Sequence, residues 1–427
     1  MPNFSRIYFS ALTVILLFLA MLTPLNSIAQ NSVNIPYSLY GLGELRHNQY
    51  LQNMGMGGIN QAFRSNISIN DVNPASYAAI DSTSFVFEST LFAHFYEQKA
   101  ADVRQQSDYI SLGNLSVGFP VTSWMSFAAG LKPFSKVGYT IRESDEHPQA
   151  GMVNYFYEGS GGVNQLFFGT SLELFNGFSV GANMSYLFGN LVYEASVSSD
   201  SAGVFQTNLA NNNRVSGWVI GYGVQYHHRF SDHRYLTIGA TYGTEQGVNI
   251  RSTETLRRKL PGEMAFDTIA HFELAEDRLT IPTYYGAGIY GRFNRNWAAG
   301  IDYQWQNWES FNFLNKPDQF NDSYRIALGV EFRPTIETFS TLLHRMRYSG
   351  GIRYGQSYFM PNGEELTEFG ISFGTFVPIR GTLSGLRINF EYSRRDPGAD
   401  QMMQENFYML NIGINIYERW FIRRLFH

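Results

Sequence analysis

The chain contains no cysteine among its 427 residues. This absence excludes disulfide bonds, thiolate metal sites, cysteine nucleophiles and a lipidated N-terminal cysteine. Charged residues are also scarce, at 16% of the chain, whereas soluble domains contain roughly 25%. The formal net charge of −5 supplies no basic face for a nucleic acid. We therefore expect no nucleic-acid partner.

Recognisable metal-binding and catalytic patterns are lacking as well. The nine histidines show no HExxH or comparable ligand spacing. The adjacent pair, His227 and His228, would point to opposite faces of a strand. No serine, histidine and acidic residue stand at a spacing that suggests a catalytic triad. We expect no metal, no cofactor and no enzymatic activity.

The first thirty residues have the layout of a cleavable secretory signal. Arg6 precedes an apolar run from Ile7 to Leu22, and Ser27-Ile28-Ala29 follows as a cleavage site. We predict a signal peptide at residues 1–29. The alternative is a membrane anchor, but the apolar run is shorter than the roughly 20 residues that span a bilayer. No later stretch is apolar enough to form a transmembrane helix.

What the chain has in excess is aromatic residues and glycine. Aromatic residues make up 16% of the chain, with 27 Tyr and 35 Phe, and there are 40 Gly. Tyr and Phe favour β-strands over helices. An exported chain of this composition, with no helical span, is either a soluble all-β protein or a β-barrel of a bacterial outer membrane.

The alternation of side chains separates these two possibilities. In residues 297–306, Ile301 and Tyr303 fall on one face of a strand, and Asp302 and Gln304 fall on the other. A membrane barrel needs an apolar outer face and a polar or small-residue lumen, which this pattern supplies. A soluble β-sandwich, the alternative, would expose the polar face and pack the aromatic face inside. The same pattern recurs in residues 178–186, 386–393 and 407–416.

Counting such segments predicts an all-β fold, a transmembrane antiparallel β-barrel of about 14 strands at residues 81–417. An even number suits a closed bacterial barrel. Short connections alternate with longer polar ones, so we place the short ones in the periplasm; the connection at residues 335–344 breaks this alternation. The candidate strands lie near residues 83–98, 107–119, 124–143, 152–174, 178–198, 212–230, 234–258, 267–293, 297–313, 321–334, 345–359, 365–378, 385–396 and 404–416.

Residues 30–80, between the signal and the first strand, are too few to build a core of their own. Short motifs in this segment and in the barrel are Gly57-Gly58, Asn73-Pro74-Ala75, Tyr157 to Gly162, Asp302-Tyr303-Gln304 with Trp308, and Glu418 to Arg424. On these motifs the chain resembles the FadL-like outer-membrane transport family, and more specifically its Bacteroidetes branch. The resemblance implies that residues 30–80 form a hatch in the barrel lumen. The hatch residues it identifies are Gly57, Gly58, Asn73, Pro74 and Ala75.

Residues 418–427 are predicted to form a C-terminal periplasmic rim. Trp420 and Phe421 would lie at the membrane interface, and Arg419, Arg423 and Arg424 would reach lipid phosphates. The alternative is a docking tail for another protein.

Placing the aromatic residues outward turns a set of charged side chains into the lumen. These charges can pair with each other or with the hatch. They can also line a ligand path, in which Arg353 and Arg387 would bind an anionic headgroup through bidentate hydrogen bonds. Glu173 and Arg292 are in the inward set, and the candidate ligand residues are Asp302, Arg325, Glu331, Arg333, Arg353, Arg387 and Glu391.

Three functions agree with these features. The resemblance implies passive uptake of hydrophobic molecules, fatty-acid-like or aromatic, through the lumen and past the hatch. A second possibility is a barrel subunit of an outer-membrane secretion or assembly complex, with no transport role. A third is a scaffold or adhesin that displays polar loops such as residues 199–214. The expected partners are outer-membrane lipids, a hydrophobic ligand and other envelope proteins.

Overall fold

The computed structural model describes residues 34–46, 51–100, 103–199, 201, 204–260, 263, 265–274, 276–309, 311, 320–335, 340–398 and 403–420. The predicted signal peptide lies outside the described residues, as do Phe421, Arg423 and Arg424 of the predicted rim.

The described chain forms a closed antiparallel barrel of fourteen strands, numbered β1 to β14 in chain order, as predicted. Each strand pairs with its neighbours along the chain, and β14 pairs with β1 from Gln404↔Lys99 to Arg419↔Ser84, which closes the barrel. The strands are β1 Ser84–Ala100, β2 Val103–Pro120, β3 Met125–His147, β4 Gly151–Phe175, β5 Phe178–Ser199, β6 Gln206–Ser231, β7 Arg234–Gly243 with Gln246–Lys259, β8 Asp267–Glu273 with Asp277–Ile281 and Tyr284–Arg292, β9 Trp297–Gln306, β10 Ser323–Phe332, β11 Arg347–Gln356, β12 Thr367–Pro378, β13 Gly385–Asp396 and β14 Gln404–Arg419.

Helical structure in the described residues is limited to short turns. The 3-10 turns are Pro36–Leu39, Leu51–Met56, Pro74–Ala79 and Pro361–Gly363, and one α-helical turn spans Leu342–Arg345. None of the described helices has the length and apolar character required to cross a membrane. The α-helical turn lies at the end of the connection at 335–344, whose length broke the predicted alternation. Its His344 carbonyl accepts a hydrogen bond from the Thr335 N–H at 3.1 Å.

Exposure alternates along the strands as the sequence predicts. On β9, Ile301 and Tyr303 are 45% and 46% exposed, whereas Asp302 between them is 5% exposed. The exposed face is therefore apolar and the inward face is polar. This arrangement suits a lipid environment and excludes the soluble β-sandwich, whose outer face would be polar.

Ahead of β1, residues 34–46 and 51–80 form what we call the plug segment. Most of its side chains are buried, although the segment contains only 3-10 turns and the two-residue strand Glu44–Leu45. It forms hydrogen bonds with inward-facing groups on strands around the barrel, among them Asn183 on β5, Ser372 on β12 and Asn415 on β14. These contacts surround the segment, so it lies inside the barrel.

The barrel wall is incomplete between β2 and β3. Their pairing begins at the short turn and extends only to Leu115↔Leu131. Beyond that point the edge of β3 pairs instead with Glu44–Leu45 of the plug segment. The remaining part of β2 has no β3 partner among the described residues, and its Ile110 is 76% exposed. The wall therefore lacks direct pairing between β2 and β3 in the half of the barrel that carries the longer connections, such as residues 307–322, which we call the long-loop half. Asn34 of the plug segment lies at this gap, where its carbonyl accepts from the Ser107 hydroxyl of β2 and its side-chain oxygen accepts from the Thr140 N–H of β3.

The lipid-facing assignment of Ile301 predicts a depth-dependent cost for a charge. Ile301→Arg should lower the free energy of unfolding by roughly 2–4 kcal/mol, because an arginine near the bilayer midplane loses its hydration. Trp297→Arg, on the same face but beside a short turn, should cost roughly 0–1 kcal/mol. Guanidinium unfolding from liposomes measures both variants, and equal effects would contradict the assignment.

Candidate functional site: the plugged lumen

Asp302 attaches the plug segment to the barrel wall. Its carboxylate on β9 accepts hydrogen bonds from two consecutive backbone N–H groups, those of Asn60 and Gln61, the latter at 2.7 Å. Arg325 on the neighbouring strand β10 is within electrostatic range of this carboxylate and donates to the Gln304 side chain at 3.2 Å. The fold thus brings together two of the predicted lumen residues, Asp302 and Arg325.

Gly57 and Gly58 allow the plug backbone to lie directly against the wall. Both have positive φ, at +70° and +80°, a conformation that favours glycine. The Gly57 N–H donates to the Ser372 hydroxyl at 2.8 Å, and a Cβ built on Gly351 of β11 would lie 2.1 Å from the Gly57 nitrogen. Ser372 occurs within a Gly-x-Ser-x-Gly sequence, but it lies in the middle of strand β12 and binds the plug.

Asn73, Pro74 and Ala75 form a capped turn that contacts the wall. The Asn73 amide donates to the Gln61 carbonyl at 2.6 Å and to carbonyls of two barrel strands. Its side-chain oxygen accepts from the Ala75 N–H at 3.1 Å, and Pro74 begins the following 3-10 turn. Within this structure the motif holds the plug segment in place; its role as a moving gate stays a prediction.

Near the long-loop end of the lumen, two arginines are surrounded by carboxylates. The Arg353 guanidinium lies 2.7 Å from Glu391 and 2.6 Å from Glu368. Arg395 lies 2.6 Å from Glu44 of the plug segment and 2.9 Å from Glu405. We call these six residues the long-loop ion cluster. It brings together the predicted Arg353 and Glu391, and two carboxylates already occupy the Arg353 guanidinium.

Sequence reasoning missed four members of this cluster. Arg395 follows Arg387 and Glu391 at even spacing on β13, so extending the alternation by two residues would have found it. The same extension along β14 would have found Glu405. Glu44 had no such signal, because it reaches the cluster through the path of the plug segment.

The other predicted charges lie toward the short-turn end. Glu331 on β10 pairs with Arg292 at 2.7 Å, and Arg333 lies within electrostatic range of the same carboxylate. Arg387 is buried with its guanidinium 4.8 Å from the centre of the Phe376 ring. Glu173 accepts a hydrogen bond from the Gly177 N–H at 3.1 Å in a short turn. The two arginines predicted to bind one anionic headgroup therefore have different neighbours: Arg353 lies among carboxylates and Arg387 lies beside an aromatic ring.

The long-loop half of the lumen also contains a cluster of buried hydrophobic side chains, which we call the apolar chamber. Eighteen buried hydrophobic residues form one cluster there, among them Trp308, Phe320, Tyr358 and Leu191. A cavity of about 130 Å³ lies against this cluster. Trp308, Tyr358 and the ion pair of Lys132 with Asp71 of the plug segment line it. Amide side chains also line it, namely those of Gln165, Asn183, Gln246, Gln304 and Gln306.

Within the described residues, no group of three His, Asp or Glu side chains is placed to hold a metal ion. Among the described residues, the lumen offers carboxylate–guanidinium pairs, amide groups and a cavity lined by both polar and aromatic side chains. This chemistry suits binding.

The Asp302 contacts predict that this single carboxylate stabilises the plug. Asp302→Ala leaves two buried N–H groups without an acceptor, at a cost of about 1–3 kcal/mol for each. Thermal unfolding and protease digestion of the folded barrel should reveal a less stable variant with earlier cleavage in the plug segment. Asp232→Ala, in an exposed turn, is the control and should change stability by less than about 0.5 kcal/mol. Equal protease resistance of the two variants would contradict the role of Asp302 in holding the plug segment.

Solved structures with similar folds include two toluene transporters and a FadL homologue. The toluene transporter TodX of Pseudomonas putida is 15% identical, with a TM-score of 0.58 over 90% of this chain and 100% of that chain. A FadL homologue of Pseudomonas aeruginosa is 13% identical, with a TM-score of 0.57 over 89% and 100%. The toluene transporter TbuX of Ralstonia pickettii is 14% identical, with a TM-score of 0.56 over 88% and 100%. At these identities the likeness shows the fold, and the predicted FadL-like fold is confirmed.

Sequence comparison gives the family. No curated protein matches the chain at a significant level. The model of the BamG family matches residues 12–427, which is nearly the whole sequence. The chain therefore belongs to the BamG family.

Proposed function

We propose that the chain is an outer-membrane barrel for the passive uptake of small hydrophobic molecules. The observation that carries this proposal is the apolar chamber in the long-loop half of the lumen. A water-filled channel has a polar lumen, so an aromatic and aliphatic chamber favours a hydrophobic cargo over ions or sugars. The concentration gradient of the cargo would drive its entry.

The size of the cavity favours a molecule with a single ring. An apolar cavity of about 150 Å³ is enough to bind benzene. The cavity beside Trp308 has a similar volume, about 130 Å³, and its lining combines Trp308 and Val219 with polar side chains such as Gln304. TodX and TbuX, whose folds are similar, are described as toluene transporters. A toluene-sized aromatic is therefore our first candidate ligand, ahead of a long fatty acid.

The gap in strand pairing between β2 and β3 would supply a route out of the chamber if the plug residues beside it moved aside. A path from the cavity along the lumen would pass the plug segment and the ion pair of Lys132 with Asp71. A hydrophobic molecule would lose favourable contacts along this polar path. The gap between β2 and β3 lies in the same half of the barrel as the chamber, so the cargo would leave sideways into the membrane.

The family favours a second candidate, a barrel subunit of an envelope protein complex. The BamG match extends over almost the whole chain, and the plug segment is held to the wall by ion pairs and many hydrogen bonds. A plug held so firmly suits a barrel whose outer surface, and not its lumen, is used. The two candidates differ in whether the chamber binds a ligand.

The buried Trp308 allows a direct test of ligand binding. Toluene added to the purified barrel should shift tryptophan emission, because Trp308 is 0% exposed and lines the cavity. Trp308→Phe should remove the shift, and Trp297→Phe, which replaces an exposed tryptophan, should retain it. Val219→Phe should weaken toluene binding at least tenfold, because the larger ring fills the cavity that Val219 lines.

Purification from native membranes in a mild detergent separates the two candidates. A solitary barrel with a toluene-dependent signal supports uptake. The subunit role would be favoured over uptake by two results together. Envelope proteins would co-purify in stoichiometric amounts, and toluene would leave the tryptophan emission of wild type and of Val219→Phe unchanged.

A further inference from the structure

A second cavity lies at the opposite end of the lumen from the apolar chamber. It has a volume of about 210 Å³ and opens beside the short turn between β12 and β13. Three arginines line it: Arg333 after β10, Arg345 in the helical turn, and Arg347 at the start of β11. Neither proposed function uses this cavity.

Among the described residues, the three arginines have no carboxylate paired with them: no carboxylate oxygen lies within 4.0 Å of any of their guanidinium groups. Glu331 is in electrostatic range of Arg333 and Arg347, but it is already paired with Arg292 at 2.7 Å. This contrasts with the long-loop ion cluster, where four carboxylates surround two arginines.

The three arginine side chains are partly withdrawn from water, and the guanidinium group of Arg347 is also fixed by an aromatic ring. Arg347 lies 4.1 Å from the centre of the Phe376 ring, which fixes the plane of its guanidinium group. The buried Nε of Arg345 has no hydrogen-bond partner among the described residues. All three side chains are only partly exposed. Holding like charges together away from water is unfavourable unless an anion joins them.

We propose that this cavity binds a phosphate group. Guanidinium groups present paired N–H donors that match the oxygens of a phosphate, and three converging arginines can share one such anion. The phosphate is either free or part of a phospholipid headgroup. Exposed Ile379 and Leu383 line the cavity mouth, and exposed Leu342 and Leu343 lie in the same helical turn as Arg345. These apolar residues favour a phosphate that carries acyl chains.

Native mass spectrometry of the full chain in a neutral detergent tests the proposal. The probes are phosphatidylglycerol, the diacylglycerol with the same acyl chains, and inorganic phosphate at constant ionic strength. Phosphatidylglycerol should bind at least tenfold more tightly than diacylglycerol. The double variant Arg333→Gln/Arg347→Gln should reduce phosphatidylglycerol binding at least tenfold.

Arg229→Gln is the matched control, because Arg229 lies at the same end of the barrel but is exposed and paired with Asp232. Its phosphatidylglycerol affinity should stay within twofold of wild type. If the double variant does not fold, Arg345→Gln alone should still reduce binding at least threefold, since this residue stands in the helical turn outside the strands.

The pattern of binding identifies the source of the phosphate. Tight binding of phosphatidylglycerol with no competition by inorganic phosphate assigns a lipid headgroup, whereas effective competition assigns free phosphate. Equal binding of phosphatidylglycerol and diacylglycerol, or equal binding by wild type and the double variant, would overturn the proposal. Without ligand, the double variant should melt no lower than wild type, because it removes like-charge repulsion.

Discussion

The structure depends on satisfying an irregular backbone at membrane depth. The plug segment has almost no regular structure, so its N–H and C=O groups need partners from the barrel wall. Asp302 accepts from two of its N–H groups, and the Asn415 amide donates to the Ile67 carbonyl at 2.6 Å. The inward face of this barrel is therefore polar in order to bind its own chain. The plug also has partners in the long-loop half, where the Asn34 carbonyl accepts from Gln98 and the Gly41 carbonyl accepts from Tyr193 at 3.0 Å, beside the buried apolar cluster.

The two ends of the lumen consequently differ in chemistry. The long-loop end combines an aromatic chamber with a compact ion cluster in which carboxylates outnumber arginines. At the short-turn end, the described residues that line a small cavity include three arginines and no carboxylate. The desolvation cost of a buried charge is offset when an opposite charge, in the chain or on a ligand, pairs with it. At the long-loop end the opposite charges come from the chain itself. At the short-turn end, in our proposal, they come from a bound phosphate.

The sequence predicted the barrel well because strand geometry repeats every two residues. All fourteen segments and the inward face of Asp302, Arg353 and Glu391 followed from that period. The partners of these side chains were not predictable in the same way, because they depend on the path of the plug segment. Glu44 lies 351 positions from Arg395 and reaches it only in the folded chain. The Leu342–Arg345 turn was missed because four residues carry too little helical periodicity.

Asn415 has a further consequence for how the molecule assembles. It lies on β14 at the seam, where it donates to the Ile67 carbonyl of the plug and to Glu88 of β1 at 2.9 Å. The plug precedes β1 in the chain, while β14 is the last strand to be synthesised. Contacts between such distant segments form slowly. Asn415 can bind the plug and β1 at once only when the plug segment, β1 and β14 are all in place, so closing the seam and seating the plug depend on the same side chain.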